Sequence, residues 1–411
     1  MPTKRGWAAV GAGFFLWLAA RFVGSPDLHM VAAGILVLPL LATLLVRAGR
    51  PRIEVRRQLS STRVSPGTRV TVTLTVENLG RATLSFLLLE DALPSQFGKA
   101  ARLVISGIPP RNEQTISYSM MCRRRGRFLI GPVSVFVSDP FGLARVKVAT
   151  PERNELIVYP DVEHLQPWKL AAVGIGAGES AVRLLHTSAA EFYTMREYAT
   201  GDDLRRIHWP SVARTGRLMI RQDESTRRSA AVLIFDNRSA ALAAGAGFER
   251  AVSSAASAGL VLIRAGYTLK LATADSPPLD VMEPGLLEFL ADVGPARTKT
   301  MADALTLLRR VGRGEATLAM VSALPPAADV AAMTRLGTRF GRKLAILTYP
   351  MDPGTLPAEA ASEYESRATA ARVSLTRAGW DTFLIRPDQR LGEVWRKRSL
   401  PRTWAAASVS S

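Results

Sequence analysis

The chain has 411 residues but only one cysteine, Cys122. A single cysteine excludes an internal disulfide and leaves no cysteine-based zinc site. Histidine is also scarce, which argues against a His-rich metal cage, because the whole chain holds four: His29, His164, His186 and His208. Motifs for phosphate binding and for nucleophilic or zinc-dependent hydrolysis are missing: Gly-Lys-Ser/Thr in a P-loop, Gly-x-Ser-x-Gly and His-Glu-x-x-His. We therefore expect no resident cofactor and no enzymatic activity.

Acidic residues are also in short supply. Asp and Glu together number 35 against 53 Lys and Arg, which leaves a formal net charge of +18. Such a balance favours an anionic partner, either nucleic acid or the inner surface of a membrane.

Two long apolar runs open the chain, at residues 7–24 and 28–46. Each approaches the ~20 residues that a helix needs to span a bilayer. Basic residues flank the pair on both outer sides: Lys4, Arg5, Arg47, Arg50, Arg52, Arg56 and Arg57. Because positive flanks stay in the cytoplasm, we predict a transmembrane hairpin over residues 1–50 and a cytoplasmic body. A signal peptide is the alternative, but a second full-length run with basic residues directly after it argues against export.

Residues 51–160 alternate apolar and polar side chains with a period of two. The stretch "RVTVTLTVEN" puts Val70, Val72, Leu74 and Val76 on one face of a strand. Several such short runs follow, separated by Gly, Pro and Asn, and no helix-period segment interrupts them. This pattern predicts an antiparallel β-sandwich.

The pattern changes again in the rest of the chain. Residues 161–228 read as a linker followed by a dense polar stretch, and residues 401–411 as a disordered tail. Between them, over 229–400, β-rich runs alternate with helix-like segments, which predicts a doubly wound α/β domain. We place its helices at 248–265, 286–293, 302–311, 327–340 and 363–378.

Asp236 ends the first strand of that domain, in "LIFDNRSA", and ligands of such sheets usually bind at the carboxyl ends of strands. The arrangement resembles von Willebrand factor A domains, where Asp-x-Ser-x-Ser begins a site for a hard cation such as Mg²⁺. Here Arg238 and Ala240 replace the serines, and a later strand offers Ser322 without a following acid. We therefore expect Asp236 to be a turn or salt-bridge residue and expect no bound metal. A metal-dependent hydrolase or ligand-binding module is the alternative, with four side chains as its candidates: Asp202, Asp203, His208 and Asp236.

Residues 196–216, "REYATGDDLRRIHWPSVARTG", form the densest polar stretch. Asp202 or Asp203 would cap a short helix beginning at Leu204, and Pro210 would stop or redirect it. From residue 196 to 228 there are eight arginines and five acids. An enzyme site built on His208, a nucleic-acid patch and an ion-paired docking element all remain open, and the mixture of signs favours the last.

The same stretch resembles the signature of the domain-of-unknown-function 58 (DUF58) family of bacterial proteins. "LMIRQDE" at 218–224 and "SDPFGLAR" at 138–145 resemble further segments of that family. The resemblance implies an inner-membrane protein with a von Willebrand factor A-like domain. It also implies a non-enzymatic adaptor or assembly role beside a MoxR-type AAA+ ATPase and a transglutaminase-like membrane protein. It implies no catalytic residues, so the signature residues are interface candidates: Arg196, Glu197, Tyr198, Gly201, Asp202, Asp203, Arg205, Ile207, His208, Trp209, Arg214 and Gly216.

Overall fold

The computed structural model describes residues 2–48, 52–139, 141–166, 193–198, 207–223, 230–242, 245–297, 300–306, 317–386 and 388–399. The chain divides into two compact units. The first comprises residues 1–161 and 287–293, and the second comprises residues 162–286 and 294–411. The tail predicted at 401–411 lies outside the described residues, as does 167–192 of the predicted linker.

Two apolar helices open the first unit: α1 (Lys4–Val23) and α2 (Pro26–Ala48). Gly24 ends α1 with φ of 69°, the left-handed conformation that glycine adopts without a steric penalty. The helices approach closely at Gly13, where a Cβ atom would lie 2.9 Å from Cγ of Leu36. The predicted hairpin of apolar helices is therefore confirmed.

By length and composition, α1 and residues 26–44 of α2 can each cross a membrane. Their large apolar side chains are mostly exposed, with Phe15 at 73%, Phe22 at 86% and Leu40 at 73%. Helices in the core of a soluble protein bury such side chains. The hairpin therefore presents an apolar outer surface.

Short strands follow in the first unit: β1 (Ile53–Leu59), β2 (Arg63–Val64), β3 (Thr68–Asn78), β4 (Leu84–Asp91), β5 (Ala101–Ile108), β6 (Glu113–Cys122), β7 (Gly126–Ile130), β8 (Val133–Ser138), β9 (Arg145–Thr150) and β10 (Asn154–Val158). They form sheets of order β1-β3-β6, β5-β4-β8-β9 and β2-β10-β7. Neighbouring strands are antiparallel, except that β2 runs parallel to β10. The prediction of antiparallel sheets is confirmed.

The period-two pattern of β3 has the predicted consequence. Val70, Val72, Leu74 and Val76 are fully buried, and the residues between them are not. These four side chains share one core with residues of the other two sheets, among them Leu87, Leu89, Val135 and Leu156. Burial of this apolar surface, at roughly 25 cal/mol per Å², stabilises the sheets against one another.

Arg57 is buried in this core, although its position after the apolar runs placed it among the basic residues flanking the hairpin. Its Nε and Nη2 donate to the Asp91 carboxylate at 3.1 and 2.6 Å. Its Nη1 donates to the Ile130 carbonyl and the Asn154 side chain, both at 3.0 Å. The hydroxyl of Tyr118 donates to Asp91 at 2.7 Å. A buried guanidinium needs such partners, so Arg57 belongs to the fold and not to the membrane surface.

The second part of the chain alternates strands and helices: β11 (Tyr193–Glu197), α3 (Trp209–Thr215), β12 (Met219–Asp223), β13 (Ala230–Phe235), α4 (Ala246–Arg264), β14 (Thr268–Thr273), β15 (Leu279–Val281), α5 (Glu283–Asp292), α6 (Met301–Thr306), β16 (Thr317–Ala323), α7 (Ala327–Gly337), β17 (Arg342–Thr348), α8 (Ala358–Arg377), β18 (Asp381–Ile385) and α9 (Leu391–Ser399). The five predicted helices correspond to α4–α8. Residues 307–311 of the third lie outside the described part.

Strands β13 to β18 form one sheet of order β15-β14-β13-β16-β17-β18. Only the pair β14 and β15 is antiparallel. Val232 and Ile234 of β13 lie in a core cluster with α7 and α8. On the other face, Phe235 contacts Phe248 of α4, with ring centroids 5.8 Å apart. The mixed α/β region is confirmed, and helices cover both faces of its sheet.

The first residues of the predicted linker are tied to the last described helix. The carboxylate of Glu163 accepts hydrogen bonds from the N–H groups of Leu391 and Gly392, at 3.1 and 2.8 Å. The negative charge of Glu163 at this end also interacts favourably with the positive end of the helix dipole of α9. Nε1 of Trp395 donates to the carbonyl of Gln166 at 3.0 Å. This segment therefore belongs structurally to the second unit.

Candidate functional site

The polar stretch at 196–216 is part of a two-stranded hairpin. Strands β11 and β12 pair antiparallel, with Glu197 opposite Met219. Beyond the strand, the N–H of Tyr198 donates to the Leu218 carbonyl at 2.8 Å. The N–H of His208 donates to the carbonyl of Met219 at 2.9 Å, which brings the chain back to the hairpin. Within the stretch "LMIRQDE", Met219–Asp223 form β12.

A short helix, α3, lies between the two strands. It runs from Trp209 to Thr215 and is capped by Gly216, whose φ is 68° and whose N–H donates to the Val212 carbonyl at 2.8 Å. Pro210 lies in the first turn of this helix and not at its end, so the prediction that it would stop or redirect an earlier helix does not apply to α3. N–H groups of the first turn have no partner within the helix, so a proline is tolerated there. The helix start predicted at Leu204 lies outside the described residues.

His208 and Ser211 contact each other at the start of α3. Nδ1 of His208 lies 2.9 Å from Oγ of Ser211, and both side chains are half-buried. The acids that the enzyme hypothesis would add, Asp202 and Asp203, lie outside the described residues. The contact links two residues three apart and holds the first turn of the helix.

A second polar cluster lies where β13 and β16 end. Both oxygens of the Asp236 carboxylate contact the guanidinium of Arg238, with Nε 2.7 Å from Oδ1 and Nη2 2.9 Å from Oδ2. Ser322 donates its hydroxyl to Oδ2 at 2.6 Å. Nη2 of Arg238 also lies 2.7 Å from the carboxylate of Asp329, in the first turn of α7. We refer to Asp236, Arg238, Ser322 and Asp329 as the arginine cluster.

Asn237 braces the turn that carries the arginine cluster. Its amide donates to the carbonyl of Gly294 at 2.9 Å and to Asp275 at 3.2 Å. Its side-chain oxygen accepts from the N–H of Ala274 at 3.0 Å. Asp236, Asn237 and Arg238 are each at most 3% exposed. The "DNR" turn is therefore a buried, hydrogen-bonded structure.

The hairpin of β11 and β12 and the arginine cluster both lie in one stretch of the chain that matches a protein family. Residues 194–336 match a family described as "Protein of unknown function DUF58". The chain carries a DUF58 region. This region runs from β11 through the arginine cluster to α7, so it includes Asp329 as well as the signature.

A curated relative is the "Uncharacterized protein YeaD" of Bacillus subtilis (strain 168), which is 28% identical over 214 residues. The match covers 50% of this chain, and the chain spans about half (51%) of the length of that relative.

Two solved structures share local similarity. A CARDB domain from Pyrococcus furiosus is 13% identical, with a TM-score of 0.20, covering 26% of this chain and 93% of its own. A β-glucosidase from Listeria innocua is 12% identical, with a TM-score of 0.18, covering 24% and 16%. Likenesses of this size carry no property over to the DUF58 region.

The signature residues of the DUF58 region divide by what the structure describes of them. Trp209 is 65% exposed, and Glu197, Arg214 and Gly216 are also exposed. Tyr198, Ile207 and His208 are half-buried, and for Arg196 the backbone pairing in β11 is described. Four others lie outside the described residues: Gly201, Asp202, Asp203 and Arg205.

One ion pair of the hairpin joins a signature residue to a residue outside the signature. Nη1 of Arg217 lies 2.6 Å from the carboxylate of Glu197, and both side chains are mostly exposed. The hydrogen bond and charge of Glu197 raise the pKa of Arg217. The pairing of β11 with β12 brings these residues together. Because they are 20 positions apart in the sequence, this contact could not be predicted from the sequence.

Arg238 is the buried cation of the arginine cluster, at the end of β13. Burial alone lowers the pKa of this guanidinium, but the hydrogen bonds and charges of Asp236 and Asp329 outweigh it, so the pKa is raised. The residue therefore stays charged. Among the described residues, no group of three or more His, Cys, Asp or Glu side chains is arranged to hold a metal ion. The expected salt-bridge role of Asp236 agrees with this geometry, whereas Asp329 was not anticipated as its second acid.

Proposed function

We propose that this protein is a non-enzymatic adaptor anchored in the bacterial inner membrane by two spans, with its body in the cytoplasm. The outward-facing apolar side chains of α1 and α2 support the anchor, because water would make such exposure unfavourable. Basic residues at the open end of the hairpin, such as Lys4 and Arg5, support the orientation.

The finer architecture belongs to the same proposal. The common core of the antiparallel sheets supports a β-sandwich. Numbered within its own sheet, the α/β region has the strand order 3-2-1-4-5-6 with strand 3 antiparallel. That order reverses direction between the first and fourth strands, as in doubly wound folds. It supports a domain of the von Willebrand factor A type, with Asp236 at the point where ligands of such sheets usually bind.

The arginine cluster is the observation that carries the adaptor proposal. In an A-type domain the corresponding acid would help to bind Mg²⁺ and, through it, a ligand. Here a guanidinium occupies both oxygens of Asp236 and is itself 3% exposed. Because the Arg238 guanidinium is part of the chain, it stabilises the turn but cannot bind a ligand in the way that a metal ion would. The domain therefore best supports binding of a partner through a surface other than the one at Asp236.

The signature hairpin is the surface we propose for that binding. Trp209 and Leu218 are 65% and 43% exposed, and Arg214 and Arg217 of the same hairpin are exposed as well. Exposed Trp and Arg are common among the residues that contribute most to protein–protein binding. We propose a MoxR-type AAA+ ATPase as the partner, with a transglutaminase-like membrane protein in the same assembly.

A pull-down from solubilised membranes tests this proposal. Full-length protein should recover the ATPase, and Trp209→Ala should reduce recovery at least about tenfold, as removal of a strongly contributing contact does. Met282→Ala is the matched control, because Met282 is an 80% exposed apolar residue elsewhere in the second unit. Recovery that is equal for both variants, or no ATPase from the wild-type protein, would count against the proposal.

Thermal unfolding with increasing Mg²⁺ or Mn²⁺ separates the adaptor from the metal-dependent alternative. A flat response is expected for the wild-type protein. Saturable stabilisation that Asp236→Ala abolishes would favour the metal-dependent reading instead. Steeply salt-dependent retention on DNA would favour nucleic-acid binding.

A further inference from the structure

The segment "SDPFGLAR" connects the β-sheets of the first unit to the start of the apolar hairpin. The N–H of Thr3 donates to the Leu143 carbonyl at 2.8 Å, and its hydroxyl donates to the Gly142 carbonyl at 2.6 Å. Gly6 makes room for the contact, because a Cβ there would lie 2.2 Å from the Leu143 oxygen. The beginning of α1 therefore lies directly on this loop.

The loop has a fixed shape of its own. One oxygen of the Asp139 carboxylate accepts from the N–H of Phe141 at 3.0 Å, and the other from the N–H of Ala144 at 2.5 Å. The N–H of Gly142, with φ of 69°, donates to the Asp139 carbonyl at 3.0 Å. These bonds close a tight turn around a buried acid. Phe141 therefore has a defined position on the turn.

The turn lies beside the apolar helices and not beyond their ends. Leu143 and Ala144 form a buried cluster with Ala42 of α2, and Ala9 and Val46 pack against it. Ala9 is five residues inside α1, which is about 7.5 Å along the axis at 1.5 Å per residue. That distance is comparable with the roughly 5–10 Å depth of the boundary between headgroups and acyl chains. If the hairpin spans a bilayer, the turn lies at this boundary.

The side chains around the turn suit an anionic lipid surface. Phe141 is 68% exposed and Trp7, on the adjacent first turns of α1, is 65% exposed. Lys4, Arg5 and Lys147 are exposed as well. No Asp or Glu occurs in residues 1–26 or 140–151, and the acid of the turn itself, Asp139, is only 7% exposed. An aromatic side chain amid lysine and arginine is the usual composition of a membrane-surface contact.

We propose that this turn is a second membrane contact, in which Phe141 inserts at the headgroup boundary and Lys4, Arg5 and Lys147 bind anionic phospholipid headgroups. The proposal rests on the hairpin spanning a membrane. It gives the first unit a fixed contact with the bilayer beyond its covalent connection to the spans. It also explains why the side chain of Phe141 is exposed, since the hydrogen bonds that close the turn use only the backbone N–H of this residue.

Spin labelling of the full-length protein in vesicles tests this contact. Cys122 is buried and is the only cysteine, so Cys122→Ser provides a background for single labels. Labels at Phe141→Cys and Val104→Cys form a matched pair, because Val104 is 64% exposed on β5, at the opposite edge of its sheet from β9. In phosphatidylglycerol vesicles the label at 141 should be protected from a water-soluble nickel chelate, and the label at 104 should not. Equal accessibility of the two labels would overturn the proposal.

A third label separates this inference from the proposed anchor. Phe15→Cys lies in α1 and should be accessible to oxygen but not to the chelate. If it is accessible to the chelate, the anchor itself fails. If it is protected while the label at 141 stays in water, only the lipid contact fails.

Charge is tested by lipid composition. In phosphatidylglycerol vesicles, Lys147→Gln should lower the ratio of protected to exposed label at 141 about fivefold, since a basic residue near an anionic surface contributes about 1 kcal/mol. In phosphatidylcholine vesicles the same substitution should leave the ratio unchanged. Protection at 141 that is the same in both lipids would overturn the assignment to anionic headgroups.

Discussion

Arg238 and Asp236, two positions apart in the sequence, form a bidentate ion pair with contacts of 2.7 and 2.9 Å. The pair is buried where β13 ends in the α/β sheet. Asp329, 91 positions further on, accepts a third hydrogen bond from the same guanidinium at 2.7 Å. Two carboxylates thus share one cation that is part of the chain. The pair gives the buried carboxylate of Asp236 a counter-charge within the protein.

Removing that cation should convert the arginine cluster into a site for an external one. Arg238→Ala leaves Asp236 and Asp329 close together without a counterion, so we expect a loss of about 3–5 kcal/mol in the free energy of unfolding. Mn²⁺ should restore part of this loss, because carboxylate and hydroxyl oxygens suit such ions. Urea unfolding with and without Mn²⁺, followed by tryptophan fluorescence, measures both effects.

The double variant Arg238→Ala with Asp236→Asn is the control for this rescue. It lacks the central carboxylate, so Mn²⁺ should give it no stabilisation. Equal rescue of the single and double variants would show that the ion binds elsewhere.

The buried pair of Arg57 and Asp91 should matter far more than the neighbouring exposed pair. Arg57→Ala leaves the Asp91 carboxylate in the core without a cation, and such changes cost about 3–5 kcal/mol. Arg56 contacts Glu54 and Glu77 at the surface, so Arg56→Ala should change stability little. Hydrogen exchange of the β3 amides in the full-length protein measures both variants. Similar effects at the two positions would contradict the burial argument.

Two helical glycines should respond differently to the same added methyl group. A Cβ on Gly337 would lie 2.8 Å from ring atoms of Trp380, which is 2% exposed. Gly337→Ala should therefore destabilise the second unit by about 1–3 kcal/mol through overpacking. At Gly285 nothing lies within 4 Å of the added atom, and Ala favours a helix by up to ~1 kcal/mol over Gly. Urea unfolding should show opposite signs, and a loss at both positions would refute the packing explanation.

Tyr349 should make stability depend on pH in the alkaline range. Its pKa is raised to about 12, first by burial and then by the hydrogen bond to Glu365. The folded state therefore keeps this proton above about pH 10, where the unfolded chain loses it, so the associated stability is present below pH 10 and lost as pH rises toward 12. In urea unfolding, the stability difference between wild type and Tyr349→Phe should be constant below about pH 9 and shrink above pH 10. A difference that stays constant to pH 12 would refute the assignment.

Several features of this protein could be predicted from short stretches of sequence. The apolar runs predict the hairpin because twenty consecutive residues decide whether a helix can lie in lipid. The alternation in "RVTVTLTVEN" predicts β3 because successive side chains of a strand face opposite sides. The DUF58 signature could be recognised for a similar reason, since its residues are contiguous. The helix predicted to begin at Leu204, in the middle of the signature, lies outside the described residues and remains a prediction.

The partners of charged residues were decided by the tertiary structure. Arg57 looked like a cytoplasmic flank of the hairpin because it follows a run of basic residues, yet β4 brings Asp91 beside it in the core. Pro210 was expected to stop or redirect a helix because it lacks a backbone donor, and the structure places it in the first turn of α3, where that donor is not needed. Asp329 joins Asp236 and Arg238 only because α7 begins where the strand of Ser322 ends. Sequence alone determined which segments are apolar, extended or helical, since these properties depend on neighbours a few residues apart. Which charges meet and which are buried depended on how the strands are ordered in the sheets, and that order brings Arg238 and Asp329, 91 positions apart, within 3 Å of each other.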